Sequence, residues 1–266
     1  MAEGRNDTVL VERQDAVATI TLHRPDRGNG LDRQLRSALR DSLEAVAGDD
    51  TVRAVVLTGA GRSFCVGQDL AQHAETLRAD AGGAFDSVAT DYNPITTALA
   101  TMPKPVVAAV NGACVGAGLG FVLACDLRIS AEGAKFATAF TGIGLTADSG
   151  LSASLGRTVG AGRASELLLL GEAFTAEQAL AWGVVGRVVA AEDLAGEAAA
   201  LAARLATGPT RAYAELKAAM ANAWGASLGD VLAAEGEGQA RLGVTEDHRG
   251  AVEAFLAKEK PTFRGR

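Results

Sequence analysis

The chain has 266 residues, of which 48% are hydrophobic and 21% are charged, and its formal net charge is −7. This length allows one large α/β domain with a helical extension, and the composition is that of a globular protein. The negative charge, with no run of lysine or arginine, argues against nucleic-acid binding. Apolar stretches are too short for a membrane span and no leader is recognisable, so we expect no membrane association and a cytoplasmic location.

The three cysteines, Cys65, Cys114 and Cys125, and the three histidines are scattered along the chain. None of them forms a close pair with the spacing of metal ligands. We therefore expect reduced cysteines, no metal site and no histidine-based catalytic triad.

The first part of the chain predicts strands and a crossover unit. Alternating apolar residues at 8–22 predict a hairpin of two strands. Asp32 is placed to cap an amphipathic helix at 33–47, and a strand follows at 53–58. Strand, turn, helix and strand in this order are typical of a parallel or mixed sheet.

A second pattern of interest runs from Ser63 to Leu70, where a short apolar run breaks at Gly67 and restarts as a polar helix. The backbone N–H groups of Gly67 and Gln68 could form an oxyanion pair with those near Ala117. The alternative is an ordinary strand-to-helix turn, which is common in α/β proteins. Residues 78–92 then read as a mobile or partly helical segment beside a pocket.

Residues 104–120 form the most informative stretch of the sequence. They predict a buried strand, a glycine-lined turn and the start of a helix. Three alternate glycines, Gly116, Gly118 and Gly120, allow the backbone to approach its neighbours closely. Free N–H groups at the helix start can bind an anion or a developing negative charge.

One carboxylate, Asp148, lies among apolar and small residues in the segment 136–150. We interpret it as an acid or base that faces the oxyanion site. A role as helix N-cap is the alternative, because Asp before Ser-Gly is a common helix start, and the two roles can coexist. Burial beside Phe140, Leu145 and Leu151 would raise its pKa by desolvation, which suits a group that accepts and returns a proton.

The remainder of the chain is predicted to be mainly helical. After Gly150 the predicted elements are a helix containing Arg157, a turn at 160–163, a helix at 164–170, a helix capped by 175–178, and a last strand at 184–189. From residue 192 the chain is alanine-rich and helical, with breaks at 208–209, 225–229 and 243–245. The apolar faces of these helices favour oligomerisation.

Together these motifs resemble the crotonase, or enoyl-CoA hydratase/isomerase, superfamily over nearly the full length. The resemblance is carried by residues 63–70, 104–112, 116–118, 125–129, 144–150 and 175–185. It implies an α/β spiral of ββα turns with an acyl-CoA site at residues 1–205. It also implies a C-terminal helical oligomerisation region at 206–266, and a homotrimer or a hexamer built as a dimer of trimers. Coenzyme A would enter as part of the substrate, and no separate cofactor is implied.

The resemblance also implies the positions that contact an acyl-CoA thioester. The thioester oxygen would be held by the N–H groups of Gln68 and Ala117, and one such donor contributes about 3 to 4 kcal/mol in other oxyanion holes. Further substrate and CoA positions are Arg27, Gly67, Asp69, Leu70, Gly116, Phe140 and, in a tail from a neighbouring subunit, Lys258, Lys260 and Phe263. The two lysines can equally be solvated surface charges.

The chain departs from the family where hydratases carry two glutamates that hold the attacking water. The corresponding positions are Gly120 and Phe140. The segments 139–150, 208–213 and 260–266 are instead similar to the 2-(1,2-epoxyphenyl)acetyl-CoA isomerase branch of phenylacetate degradation. The single acid/base aspartate of that branch matches Asp148, although Ala147 stands where the branch usually has proline.

The resemblance therefore favours an acyl-CoA isomerase. Such an enzyme shifts a double bond from the β,γ to the α,β position, or rearranges an epoxyphenylacetyl-CoA-type ring, through a thioester enolate. An enoyl-CoA hydratase or an acyl-CoA hydrolase of the same superfamily is one alternative. A non-catalytic, acyl-CoA-binding trimer is the other.

Overall fold

The computed structural model describes residues 8–266. Its strands are β1 (Val9–Gln14), β2 (Val17–Leu22), β3 (Ala54–Gly59), β4 (Ser63–Cys65), β5 (Val106–Val110), β6 (Ala113–Val115), β7 (Leu127–Ala131), β8 (Lys135–Ala137), β9 (Phe174–Thr175) and β10 (Arg187–Val189). Its helices are α1 (Arg33–Ala47), α2 (Leu70–Ala79), α3 (Asn93–Thr101), α4 (Ala117–Ala124), α5 (Leu151–Val159), α6 (Ala161–Leu170), α7 (Ala176–Ala181), α8 (Leu194–Ala206), α9 (Thr210–Ala223), α10 (Leu228–Gly243) and α11 (Glu246–Ala257).

The strands form two sheets that the chain visits alternately. The larger sheet has the order β1-β2-β3-β5-β7-β10, and the smaller one has the order β4-β6-β8-β9. Each successive pair, β3/β4, β5/β6 and β7/β8, places one strand in each sheet and is followed by a helix. This repetition is the predicted spiral of ββα turns, so the expected α/β fold is confirmed.

Strand β5 shows why the apolar run before the glycines is uninterrupted. All five of its residues are buried, because helices cover both faces of the parallel sheet. Val106 and Ala108 point into the core that includes α1, while Val107 and Ala109 pack with the alanine-rich face of α8. The strand ends at Val110, just before the segment that leads to the site.

Several predicted elements are confirmed. The hairpin pairs β1 with β2 in antiparallel register. Helix α1 has the predicted bounds, and the Asp32 side chain accepts a hydrogen bond from the Leu35 amide. Thr175 and Gln178 form the predicted capping box of α7. The three cysteines are buried and free.

Two predicted elements were wrong. The segment 160–163 is not a turn, because Gly160, at φ +80°, ends α5 and directly starts α6 at Ala161. The last strand is shorter than 184–189 and starts at Arg187. Val184 and Val185 instead donate their amides to the Ala179 carbonyl and so close the end of α7.

Helices α8 to α11 follow the last strand, and the final residues fold back on the same chain. Arg53 donates to the carbonyl of Phe263 at 2.9 Å, and Asp247 accepts from the amides of Arg264 and Gly265. The division into a core at 1–205 and an oligomerisation region at 206–266 stays a prediction. Among the described residues, no helix has both the length and the apolar character that crossing a bilayer requires.

Candidate active site

Two glycine turns lie side by side because β4 and β6 are parallel neighbours. Cys65 pairs with Cys114, so the turns that follow these strands leave the sheet at the same edge. Gly67 and Gly116 have φ of +83° and +57°, conformations that favour glycine. A Cβ at Gly67 would lie 3.1 Å from the Val115 carbonyl oxygen and 3.8 Å from the Ala117 nitrogen. The glycines thus permit close contact between the two turns.

The backbone amides of Gln68 and Ala117 are available as hydrogen-bond donors. Neither amide donates to an acceptor within residues 8–266. Ala117 is the first residue of α4, where the N–H groups have no intrahelical partner and the helix dipole favours negative charge. Both residues line the same cavity, so this is where an oxyanion can bind.

Side chains on α2 hold the first of these turns in place. The side-chain amide nitrogen Nε2 of Gln68 and the His73 Nδ1 are 2.9 Å apart. The Asp69 carboxylate caps α2 and pairs with Arg24 at 3.1 Å. Burial raises the pKa of Asp69, but hydrogen bonds from the Gln72 amide and Arg24 outweigh it, and the pKa lies below its ordinary value. The turn is therefore anchored by an ionised aspartate.

A cavity of about 550 Å³ opens beside the two turns. The segment that precedes α3 forms one wall, and the loop at 138–150 forms another. The lining is mostly apolar, and Asp148 is the one titratable side chain among its described residues. The size and polarity suit the acyl part of a small thioester, since ligand pockets are typically apolar with a few placed polar groups.

Asp148 lies in a tightly turned loop ahead of α5. Ser149 and Gly150 have φ of +51° and +68°, and Gly150 occupies the N-cap position of the helix. The Asp148 side chain is therefore not the helix cap, and this alternative is wrong. Its Oδ1 accepts a hydrogen bond of 2.9 Å from the Ser149 hydroxyl. Burial raises the pKa of Asp148, and this bond opposes the shift only in part.

Gly120 and Phe140, which the resemblance matches to the glutamates of hydratases, offer no carboxylate, and Gly120 has no room for a side chain. A Cβ at Gly120 would lie 2.6 Å from the Cβ of Ser149 and 2.8 Å from its carbonyl oxygen. Such distances require the loop to shift. The Phe140 ring instead lies against Gly116, with its tip 3.8 Å from the Cβ position there.

The cavity brings together seven of the predicted positions and leaves five apart. Those that line it are Gly67, Gln68, Leu70, Gly116, Ala117, Phe140 and Asp148. Those that do not are Arg27, Asp69, Lys258, Lys260 and Phe263. The roles assigned to all twelve positions stay predictions.

The structure adds lining residues that the sequence pattern did not identify. Phe85, Ser87 and Val88 lie ahead of α3, and together with Asn93, its first residue, they form one wall. This segment contains a π-helix at Val88–Tyr92, a form often found at functional sites. Its place beside a pocket agrees with the interpretation of 78–92, but no motif marked the individual residues.

Comparisons with known proteins agree with this geometry. The sequence profile of the Enoyl-CoA hydratase/isomerase family matches residues 12–266. The 1,2-epoxyphenylacetyl-CoA isomerase of Escherichia coli (strain K12) is 42% identical over 97% of this chain and 98% of its own length. A Rhodobacter capsulatus protein named "Probable enoyl-CoA hydratase" is 40% identical over 97% of this chain and 98% of its own.

A solved structure shows the same fold. The Mycobacterium abscessus protein described as "putative Enoyl-CoA hydratase/isomerase" superposes with a TM-score of 0.93 at 52% identity. The match covers 97% of this chain and 100% of that one. With its alternating sheets, paired glycine turns and full-length matches, the chain belongs to the enoyl-CoA hydratase/isomerase family.

Proposed function

We propose that this protein is an acyl-CoA isomerase that works through a thioester enolate. It shifts a double bond from the β,γ to the α,β position, or rearranges an epoxyphenylacetyl-CoA-type ring in phenylacetate catabolism. The observation that carries the proposal is Asp148, the one titratable side chain among the described residues that line the apolar cavity, beside two amides with no acceptor in that part of the chain. The similarity to an epoxyphenylacetyl-CoA isomerase supports the same reaction class.

The double-bond shift requires one proton to leave and one to return. The thioester oxygen accepts hydrogen bonds from the Gln68 and Ala117 amides, which stabilise the charge that develops on it. Ionised Asp148 removes a proton from the α carbon, and the bonding electrons move into the enolate. The resulting carboxylic acid then returns a proton to the γ carbon, which leaves the double bond at α,β. Burial raises the pKa of Asp148, which makes it a stronger base for this step.

Hydration is disfavoured because water needs groups that position and deprotonate it. Gly120 and Phe140 supply neither, and Ser149 fills the space beside Gly120. A hydratase or hydrolase remains the alternative enzyme, and a binder without turnover is the non-enzymatic alternative.

The proposal extends to coenzyme A and to the assembly. We assign the CoA adenine and phosphates to Arg27 and to a neighbouring subunit's tail, through Lys258, Lys260 and Phe263. A tail that acts on a neighbouring subunit requires an oligomer, and we propose a homotrimer, alone or paired into a hexamer. Apolar residues exposed on α9 to α11, such as Leu228 and Phe255, support such an assembly. The cytoplasmic location stays a prediction.

The test compares wild type, Asp148→Asn and the exposed control Asp26→Asn on a β,γ-enoyl-CoA. We expect wild type and the control to form the conjugated thioester at equal rates. Asp148→Asn should lose about 10²- to 10⁴-fold in kcat, since a positioned acid/base contributes this much. Full activity of Asp148→Asn would refute the assignment.

Parallel incubations with crotonyl-CoA separate the alternatives. Loss of its conjugated absorbance at a rate above that of the isomerisation would identify a hydratase, and release of free CoA would identify a hydrolase. Binding of both thioesters without turnover would identify a binding protein. Truncation after Ala257 should weaken CoA binding if the tail has the assigned role.

A further inference from the structure

The Asn93 side chain lines the apolar cavity and has no hydrogen-bond partner among the described residues. Besides Asp148, the polar side chains of the lining fall into two groups. Three have partners within the protein: Gln68, Thr138 and Ser149. Three have none in the described part of the chain: Ser87, Asn93 and Thr146. A few polar groups in an apolar pocket typically fix the orientation of a ligand and provide specificity.

The local structure does not explain why residue 93 is an asparagine. Its backbone is helical, with φ −64° and ψ −46°, and its amide donates to the Val88 carbonyl. Asn93 therefore continues the π-helix into α3, and its side chain makes no capping hydrogen bond. Asparagine is less favourable than alanine in such a place, because its side chain competes with the helix for backbone groups. A role toward a ligand would account for the residue type.

Helix α3 holds Asn93 near the loop that carries Asp148. Thr96 lies three residues further and hence on the same face of α3, and its methyl group lies 3.6 Å from the Cβ position at Gly150. The other two unpaired side chains are placed less favourably. Thr146 belongs to a loop, which positions a side chain less precisely than a helix does. Ser87 also borders a second, polar cavity, where water can pair with its hydroxyl.

The rest of the site restricts the kind of group that Asn93 can bind. The Gln68 and Ala117 amides are the proposed donors to the thioester oxygen, and Asp148 is the proposed base at the α carbon. Asn93 is then available to atoms further along the acyl chain. No lysine, arginine or histidine lines this cavity within the described residues, so a charged acyl end would find no counter-ion. The Asn93 Nδ2 group can donate to a neutral oxygen atom.

We propose that Asn93 is a specificity residue whose carboxamide donates a hydrogen bond to an uncharged oxygen of the acyl chain beyond the α carbon. The preferred substrates are then acyl-CoA thioesters that carry an ether, epoxide or hydroxyl oxygen, rather than plain hydrocarbon chains. This inference rests on the proposed acyl-CoA site and narrows its substrate class. If Asn93 only filled space, leucine would serve equally well, since the two side chains have nearly the same shape.

The experiment measures binding of four thioesters of equal chain length by calorimetry. Hexanoyl-CoA is the hydrocarbon, and propoxyacetyl-CoA, 3-ethoxypropanoyl-CoA and 4-methoxybutanoyl-CoA place one ether oxygen at the β, γ or δ position. We expect wild type to bind at least one ether more tightly than hexanoyl-CoA. In Asn93→Leu the affinity for that ether, relative to hexanoyl-CoA, should fall about two- to tenfold, the usual net effect of one hydrogen bond.

The control is Asn222→Leu, the same change at an exposed position of α9 outside this cavity, which should keep the wild-type preference. Asn93→Leu should unfold at the same or a higher temperature than wild type, because leucine is the better helix former.

Two results would overturn the inference. One is a wild type that binds all three ethers more weakly than hexanoyl-CoA. The other is an equal ratio of ether to hexanoyl-CoA affinity in wild type and Asn93→Leu for every ether. Isomerisation by Asp148→Asn, measured alongside, separates the two proposals. If that variant remains active while the ether preference depends on Asn93, the proposed base falls. If it is inactive and the preference does not depend on Asn93, only the present inference falls.

Discussion

At the scale of single residues, the candidate site contains a carboxylate whose burial disfavours its charged form. Asp148 is half-buried, and desolvation raises its pKa above the ordinary value of 3.8. Near neutral pH the folded protein must keep this buried group charged, which lowers its free energy of unfolding. The basicity that we propose for Asp148 and its loss of stability therefore have the same cause, which is burial.

Asp148→Asn should accordingly be more stable than wild type at pH 7. A raised pKa stabilises the folded state only below the unfolded pKa, and this contribution is lost as pH rises through the folded value. The difference in unfolding free energy between Asp148→Asn and wild type should therefore shrink as the pH is lowered toward 3.8, the ordinary pKa of aspartate. Urea unfolding at pH 7 and pH 4 measures both quantities. A variant that is less stable than wild type at pH 7 would contradict this account.

Gly120→Ala tests the close packing of Gly120 against Ser149, which leaves no room for a glutamate side chain at this position. Its new Cβ would lie 2.6 Å from the Ser149 Cβ, so the loop at 138–150 must move. We expect a loss of about 1 to 3 kcal/mol in unfolding free energy, the usual cost of overpacking, together with reduced isomerase activity.

The control is Gly156→Ala in α5, where nothing lies within 4 Å of the new methyl group. This change should be neutral or stabilising by up to about 1 kcal/mol, because alanine is the better helix former. Equal effects of the two changes in a thermal or urea unfolding series would disprove the steric argument.

At the scale of elements, α3 connects the site to the C-terminal helices. The first residue of α3 lines the cavity. In the last turn of α3, the Leu99 carbonyl accepts a hydrogen bond of 2.8 Å from Lys217 of α9. Lys217 also pairs with Asp126 at 2.8 Å. Burial raises the pKa of Asp126, and Lys217 acts against the shift. One lysine therefore joins the end of α3, the start of β7 and the helical extension.

Lys217→Met should destabilise the protein by about 1 to 3 kcal/mol, because it leaves the partly buried Asp126 carboxylate without its charged partner, with the Val106 amide as remaining donor, and removes the lysine donor from the Leu99 carbonyl. Asp126→Asn in the Lys217→Met background should recover part of this loss. A double-mutant cycle of urea unfolding measures the coupling. No coupling between the two positions would contradict a specific ion pair.

At the scale of the whole molecule, the C-terminal helices expose several large apolar side chains to solvent. Leu228 is 74% exposed and Phe255 is 81% exposed. Large apolar side chains that are exposed in this number are typical of an interface. In the proposed assembly this surface also brings the tail of one subunit toward the CoA of another.

Light scattering should therefore give a mass of three or six times 27.0 kDa for the wild-type protein. The double change Leu216→Glu with Met220→Glu places charges one turn apart on exposed positions of α9 and should lower the mass. Ala221→Glu on the same helix adds a charge without removing an apolar contact and serves as the control. A wild-type mass of 27.0 kDa would contradict the assembly.

The sequence identified the parts of the molecule that local chemistry determines. Positive φ at Gly67 and Gly116 requires glycine, and the apolar run of β5 requires burial on both faces, so both were visible as patterns. The segment 78–92 was predicted to lie beside a pocket, but the individual residues of the wall at 85–93 were not, because packing brings them to the cavity and they share no periodicity.

The most direct test of the central claim is proton exchange at the α carbon of a thioester. Phenylacetyl-CoA has acidic α protons, and its β,γ bond belongs to an aromatic ring that does not isomerise, so in D₂O it reports enolate formation alone. The account predicts that wild type incorporates deuterium at this carbon, as observed by NMR, and that Asp148→Asn binds the thioester equally well without exchange. Exchange at the wild-type rate in Asp148→Asn would contradict the assignment of Asp148 as the base.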